Sequence, residues 1–318
     1  MKLIKLLIIP LLAWAFSGCI SDNRTDCTLE NNTVLVFEYT TDASKKFTDI
    51  IDNVDVILYD ADGCYMSHRI ATRSDMSIFQ GMRLTLQPGT YYVVAWGNVG
   101  SNSGYRSFVE GTTTLDDFLL EIQSTSNETG DQVYYAPLRE KPACRSSFGR
   151  TRAAADMSIY EIVVPSGGRV TKTLDFVRAH RTINVWIKGY EESGTTAFPV
   201  VGATKLWSGY DFYFNSAASA RRDFLQRSRS ATISAGTYAK ATFHSAMGVI
   251  DNNTAILVNS SSGGETVYSV SLRDFVDDNK IEDKDTDEID ILITFDMNLG
   301  ITVGIPEWIG KPITPGID

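Results

Sequence analysis

Leu86 to Asn98 reads LQPGTYYVVAWGN. Gln87-Pro88-Gly89 is a turn, because proline presets φ and glycine tolerates the conformations that a tight reversal needs. The run YYVVAW at 91–96 is aromatic, β-branched or small throughout and predicts a strand with Gly97-Asn98 as its exit. Working outward, MRLTL at 82–86 predicts the strand before the turn. Upstream, NVDVILY at 53–59 alternates and leads into Asp60-Ala61-Asp62-Gly63, a turn that closes a hairpin onto Cys64-Tyr65-Met66. VLVFEY at 34–39 is a further strand. Residues 112–121 predict the best short helix of this half, with Thr114 as N-cap, Leu115, Phe118 and Leu119 inward, and Asp116-Asp117 near the positive end.

Beyond a loop at 124–131 and another at 141–156 that holds Arg145, Arg150 and Arg152, strand character resumes at 157–164 and 170–177. TINVWI at 182–187 opens a new set, followed by segments at 203–207, 210–214, 231–233, 237–243, 254–258, 266–272, 290–295 and 299–303. Short strands at this spacing, with no intervening helical pattern of ten or more residues, predict an all-β chain of two tandem β-sandwiches. The pattern places a boundary near Arg178, dividing the body into 33–178 and 179–318.

The chain has 318 residues, 43% hydrophobic and 21% charged, with a net charge of −10. That apolar fraction supports real cores and excludes wholesale disorder. The pI near 4.9 argues against a nucleic-acid partner, since neutralising phosphates needs a surplus of Lys and Arg. Only His68, His180 and His244 occur, and the four cysteines (Cys19, Cys27, Cys64, Cys144) show no metal-ligand spacing.

The start, MKLIKLLIIPLLAWAFSGC, has Lys2 and Lys5 ahead of an apolar run at 6–16 that is too short to span a bilayer. It reads as a secretory signal over 1–18. Phe16-Ser17-Gly18-Cys19 resembles a bacterial lipobox, with Phe16 standing where Leu is usual; this implies cleavage between Gly18 and Cys19 and lipidation, palmitate included, at Cys19. The polar stretch 19–32 then serves as a tether. Loss of Lys2 and Lys5 takes the charge from −10 to −12, so the acyl chains and not electrostatics must hold the protein at the membrane. Cys27 could pair with Cys64 or Cys144, or all three could be thiols; the spacing selects none of these.

Together the lipobox and Cys27, residues 34–39, NVDVILYDADG (53–63) and LQPGTYYVVAWGN resemble the FimB/Mfa2 family of fimbrial anchor lipoproteins of Bacteroides-type bacteria. RTINVWIKGYE (181–191) is similar to the opening of that family's second domain, and the closing strand with Trp308 to its C-terminal end. The resemblance implies two transthyretin-like sandwiches, a surface-exposed position on the outer membrane, and a place at the base of a fimbrium, where the subunit anchors the shaft and limits its length. Partners would be shaft subunits, engaged through a sheet edge or groove. Residues 299–308 are the expected contact segment, through Leu299, Ile301, Val303 and Trp308, either completing the chain's own sandwich or engaging the partner.

Catalytic and cofactor signatures are missing: there is no Gly-x-Ser-x-Gly elbow, phosphate-binding loop, dinucleotide glycine fingerprint or zinc-type His spacing. Asp283-Lys284-Asp285-Thr286-Asp287-Glu288 fails the calcium-loop pattern, because Glu288 takes the glycine place and Thr294 the closing Glu place; it reads as a solvated acidic turn. No enzyme, metal or cofactor is expected. The rival is a surface glycan-binding lipoprotein, which predicts exposed Trp and Tyr on one face. The anchor reading predicts those rings buried and an unpaired strand edge or apolar groove exposed.

Overall fold

Asn53–Tyr59 alternates, yet both of its faces are buried. The structure is a computed structural model and describes residues 29–42, 44–123, 129–136, 161–217, 220–282 and 286–308. Of the described residues, strands make up 53% and helix 8%, an all-β architecture. In the N-terminal half one sheet runs in the order Val177–Arg178, Tyr134–Ala136, Gly89–Gly97, Asn53–Tyr59, Tyr65–Thr72, with Glu161–Val164 pairing along the start of Gly89–Gly97. Facing it are Val170–Asp175, Thr33–Glu38 and Gly81–Leu84. Leu35, Phe37, Val56, Val93 and Leu174 fill the space between the two sheets.

The C-terminal half repeats the plan. A five-stranded sheet has the order Arg229–Ile233, Gly236–Ala246, His180–Lys188, Glu288–Asp296, Gly300–Gly304, and a four-stranded sheet the order Arg221–Arg227, Val200–Trp207, Ala255–Asn259, Thr266–Ser271. Ile183, Val185, Phe243, Val201, Ile256 and Ile291 lie between them, and the helix Leu272–Asp278 adds Leu272, Phe275 and Val276. In each half the opening strand pairs in parallel with a late one: Thr33–Glu38 with Val170–Asp175, and His180–Lys188 with Glu288–Asp296. Parallel neighbours require long crossovers, so each half is closed by contacts far apart in sequence.

The halves share a third core. Ile57, Tyr59, Val94 and Trp96, on the second face of the N-terminal sheet, meet Phe118, Leu120, Tyr210, Phe212, Ala246 and Met247. Leu120–Ile122 pairs with both Ser103–Tyr105 and Gly209–Tyr210, so one small sheet takes strands from either side of Arg178. The Tyr210 hydroxyl donates to Ala179 O at 2.5 Å and accepts from the Met247 N–H.

The quoted motif now has physical reasons. Trp96 is fully buried and packs within 6.4 Å, ring to ring, of Phe118, Tyr135, Tyr210 and Phe214. A Cβ on Gly97 would stand 3.0 Å from Ile51, tighter than carbon contacts allow without movement. Asn98 adopts φ 59°, a left-handed conformation that asparagine accepts better than most residues. Its amide donates to Ile50 O at 2.8 Å, and its Oδ1 accepts from the Asp52 N–H at 2.7 Å. The hairpin at 60–63 forms as expected: Asp60 Oδ1 accepts from Asp62 N–H and Cys64 N–H at 3.0 and 2.8 Å, and Gly63 has φ 77°.

Two expectations are corrected. Residues 112–121 form no α-helix; a single 3-10 turn, Leu115–Asp117, is followed by the strand Leu120–Ile122. Thr114 does sit at the turn's start, its N–H and hydroxyl donating to Asp117 Oδ2 at 2.9 and 2.8 Å. Strand pairing on both sides of Leu120–Ile122 outweighs the propensity of a ten-residue segment. The strand expected at 210–214 ends at Tyr210, because the Asp211 carboxylate accepts from the Tyr213 and Asn215 N–H groups and bends the chain.

Candidate partner-binding edge

Asp296 ends the strand Glu288–Asp296, and its Oδ1 accepts from the Asn298 and Leu299 N–H groups at 2.7 and 3.0 Å. Those two donors hold its carboxyl below the usual carboxylate range. Gly300, at φ 80°, completes the reversal and sends Gly300–Gly304 back along the sheet. This strand is the last of its sheet, and no strand among the described residues pairs on its outer side. Its sequence, GITVG, carries no charge.

Edges are normally blunted by charge, by Pro or by a bulge. Arg221–Arg227 and Arg229–Ile233 carry arginines, and Tyr65–Thr72 carries His68 and Arg69. Thr266–Ser271 is also uncharged, with Val267 exposed. The Gly300–Gly304 edge differs in its flanks: Met297 is 92% and Leu299 79% exposed, with Ile301 and Ile305 partly so. An uncharged edge fringed by apolar side chains offers main-chain hydrogen bonds and contact area together.

The four expected contact residues divide. Leu299 and Ile301 lie on the exposed fringe, whereas Val303 packs against the C-terminal core. Trp308 packs edge-to-face against Trp186 and tilted against Tyr238, with centroids 5.7 and 4.8 Å away. Trp186 donates from Nε1 to Asp290 Oδ1 at 2.7 Å, and Lys240 Nζ lies 4.2 Å above its ring. Trp308 is therefore seated on its own sheet.

Gly18, Cys19, Cys27, Cys144 and the three arginines of the 141–156 loop lie outside the described residues, as do Asp283, Lys284 and Asp285. Cys64 carries a free thiol. Among the described residues no three His, Cys, Asp or Glu side chains gather as metal ligands. Trp96, Tyr91, Trp186, Tyr210 and Phe212 are buried, whereas Tyr92, Trp207, Tyr213 and Phe214 are partly exposed.

The histidines occupy places that the sequence did not mark. His68 Nε2 lies 2.5 Å from Asp55 Oδ1, which pairs a carboxylate that NVDVILY carries into the buried interior. His180 and His244 lie at the junction of the halves. His180 Nδ1 donates to Val133 O at 3.0 Å and Nε2 accepts from Arg178 Nε at 3.0 Å, while Arg178 Nη2 donates to Thr182 Oγ1 at 2.6 Å. The Thr182 hydroxyl and His244 Nδ1 are 3.2 Å apart. Burial drives His180 down to about 3 against the raising effect of its bond to Val133, with the Arg178 and His244 charges adding to the depression. Burial and then Arg178 lower His244 as well.

The family model for fimbrillin-A associated anchor proteins Mfa1 and Mfa2 matches residues 24–311. The chain belongs to that family. Membership makes it a structural protein of fimbrial anchoring and adhesion, as the motif at 86–98 implied. Solved structures share the fold at low identity. The fimbrial anchor protein Mfa2 of Porphyromonas gingivalis superposes with TM-score 0.55 at 13% identity, over 82% of this chain and 89% of that one. A candidate adhesin from Bacteroides ovatus gives 0.61 at 14%, over 87% and 93%. A candidate polysaccharide-binding protein from Bacteroides thetaiotaomicron gives 0.59 at 14%, over 83% and 90%. No curated protein matches by sequence.

Proposed function

We propose that this anchor-family protein is the membrane-held base of a fimbrium. In this reading Cys19 carries the lipid that fixes it to the outer membrane, residues 19–32 tether the body, and Gly300–Gly304 receives an extended segment of the first shaft subunit. Growth is limited because a chain that occupies the terminal position offers the shaft one attachment edge. The observation that carries the reading is the uncharged, apolar-fringed edge at 297–305 in a member of this family. A donated strand there would extend the five-stranded sheet by one, gaining ladder hydrogen bonds while covering Leu299 and Ile301.

Leu299→Asp with Ile301→Asp places charge on two side chains of that fringe, neither of which packs in the core. Co-capture of shaft subunits is expected to fall at least tenfold, with the thermal midpoint of the isolated protein unchanged. Cys19→Ala is expected to release shafts into the medium with the subunit still attached to them. Undiminished capture by the edge variant would refute the docking edge, and shafts retained on cells by the Cys19 variant would refute the lipid anchor.

A further inference from the structure

A groove of about 800 Å³ opens where the chain passes from Arg221–Arg227, an edge strand of the four-stranded sheet, to Arg229–Ile233, an edge strand of the five-stranded one. Arg229–Ile233 pairs with Gly236–Ala246 only as far as Lys240, so the long strand runs on toward Ala246 with that side uncovered by its hairpin partner. Arg227, Arg229 and Lys240 line the groove with Ser230, Thr242 and His244, and no carboxylate is among its described lining residues. On a chain of net charge −10 this is a local reversal of sign. Arg227 and Arg229 are exposed and have no ion-pair partner among the described residues. Lys240 is partly balanced by Asp290, two strands away on the same face. The unbalanced charge therefore belongs to the two arginines.

An extended peptide would be a poor occupant, because two main-chain groups of the uncovered edge already have partners. Thr242 N–H donates to Gln226 Oε1 at 3.2 Å, and His244 O accepts from the Gly130 N–H at 3.2 Å. A neutral sugar would be poor too, since Trp186, the ring beneath Lys240, is 8% exposed and offers no open face. What remains is a mixture of cations with hydroxyl and amide groups. Gln226 spends its carbonyl on Thr242 and keeps its amide donors, and Thr242 Oγ1 donates to Asn184 Oδ1 at 2.8 Å while retaining acceptor capacity.

We propose that this groove binds an acidic glycan segment, with Arg227 and Arg229 holding its carboxylate or sulfate groups and Gln226, Ser230 and Thr242 pairing with ring hydroxyls. Guanidinium suits planar carboxylate and sulfate oxygens, and charge-assisted bonds supply what stacking does not. The site lies on the opposite edge of the sheet from Gly300–Gly304, so glycan and shaft could be held together.

Calorimetric titration of the intact protein at low salt tests this with four hexamers: galacturonate, a heparin fragment, maltohexaose and hexaglutamate. One or both acidic saccharides should bind at least tenfold more tightly than the other two. Binding to galacturonate identifies a carboxylate ligand, and binding to the heparin fragment a sulfated one. Arg227→Gln with Arg229→Gln should weaken that binding at least tenfold, and Arg83→Ala, on the N-terminal half, should leave it unchanged. Both target side chains are exposed, and the single variants repeat the test if the double variant unfolds. Equal affinity for hexaglutamate would show a peptide-accepting charge patch and overturn the assignment. So would failure of both acidic saccharides to bind, or binding indifferent to the arginine variants.

Discussion

Acidification between pH 6.5 and 5.0 should destabilise this protein through His180. Its imidazole is about 2% exposed, and burial drives it from an ordinary 6.5 down to about 3. The groups facing it are Val133 O, the Arg178 guanidinium, the Tyr134 ring and His244. None is a carboxylate that would welcome a proton. Because the folded value lies below the unfolded one, the contribution is fully present above 6.5 and is lost as pH falls from there toward 3. Each unit costs about 1.36 kcal/mol per proton, so the step to pH 5.0 removes about 2 kcal/mol. The depressed His244 acts in the same direction, and the raised carboxyl of Asp290 acts in the opposite one. Urea unfolding across this window should show the loss, and His180→Gln should flatten the slope by about one proton's worth. With three histidines in the chain, ring resonances can be assigned by single substitutions and titrated directly. A His180 ring that titrates near 6.5 in the folded protein would refute the reasoning.

Trp96→Ala should cost about 3–5 kcal/mol, read as a lower urea midpoint, because it empties the centre of the core that both halves share. An effect under 1 kcal/mol would mean the halves do not depend on that ring. Asn98→Ala removes the bonds to Ile50 and Asp52 and forces alanine into a left-handed backbone, so about 2 kcal/mol should be lost by the same assay. Asn98→Gly keeps the backbone freedom and should recover part of that loss, which separates strain from hydrogen bonding.

The strands were legible because period-two runs and turn residues are local signals, as 53–63 and 86–98 show. What escaped depends on pairing across long distances. Asp55 reads as a solvent-facing position of an alternating strand, yet the second face of that strand is covered by residues 210–212 and 246–247, so the carboxylate is buried against His68. Phe118 and Leu120 fall in a segment of local helical propensity, whereas the partners that make 120–122 a strand lie at 103–105 and 209–210. In the candidate edge, the late strand that holds Leu299 and Ile301 was legible from its pattern, but its outermost place in the sheet was not, because that depends on pairing with 288–296. The seating of Trp308 was not, because Trp186 and Tyr238 are more than fifty residues away. The basic groove had a signal in RRDFLQRSR, residues 221–229, where arginines accumulate in an acidic chain. Only the divergence of the two sheets shows which of them share a cleft.

The third core bears on how a base subunit would work. Under the proposed reading the lipid precedes the N-terminal half and the shaft engages the last strand of the C-terminal half, so any pull on the shaft must cross the junction. Two sandwiches joined by a polar linker would swing apart, since domains in one chain move unless their interface is large and apolar. Here Trp96, Tyr210, Phe212 and Met247 form a continuous apolar contact, and Leu120–Ile122 hydrogen-bonds across the junction. From the junction, Gly300–Gly304 is reached through two strand pairings, with Glu288–Asp296 and then with His180–Lys188, whose first residue follows directly on Ala179 of the shared core. The motif that carries the family resemblance therefore sits where the two ends of the attachment are coupled. Under the proposed reading, the buried Trp of the AWGN exit serves by fixing one half to the other.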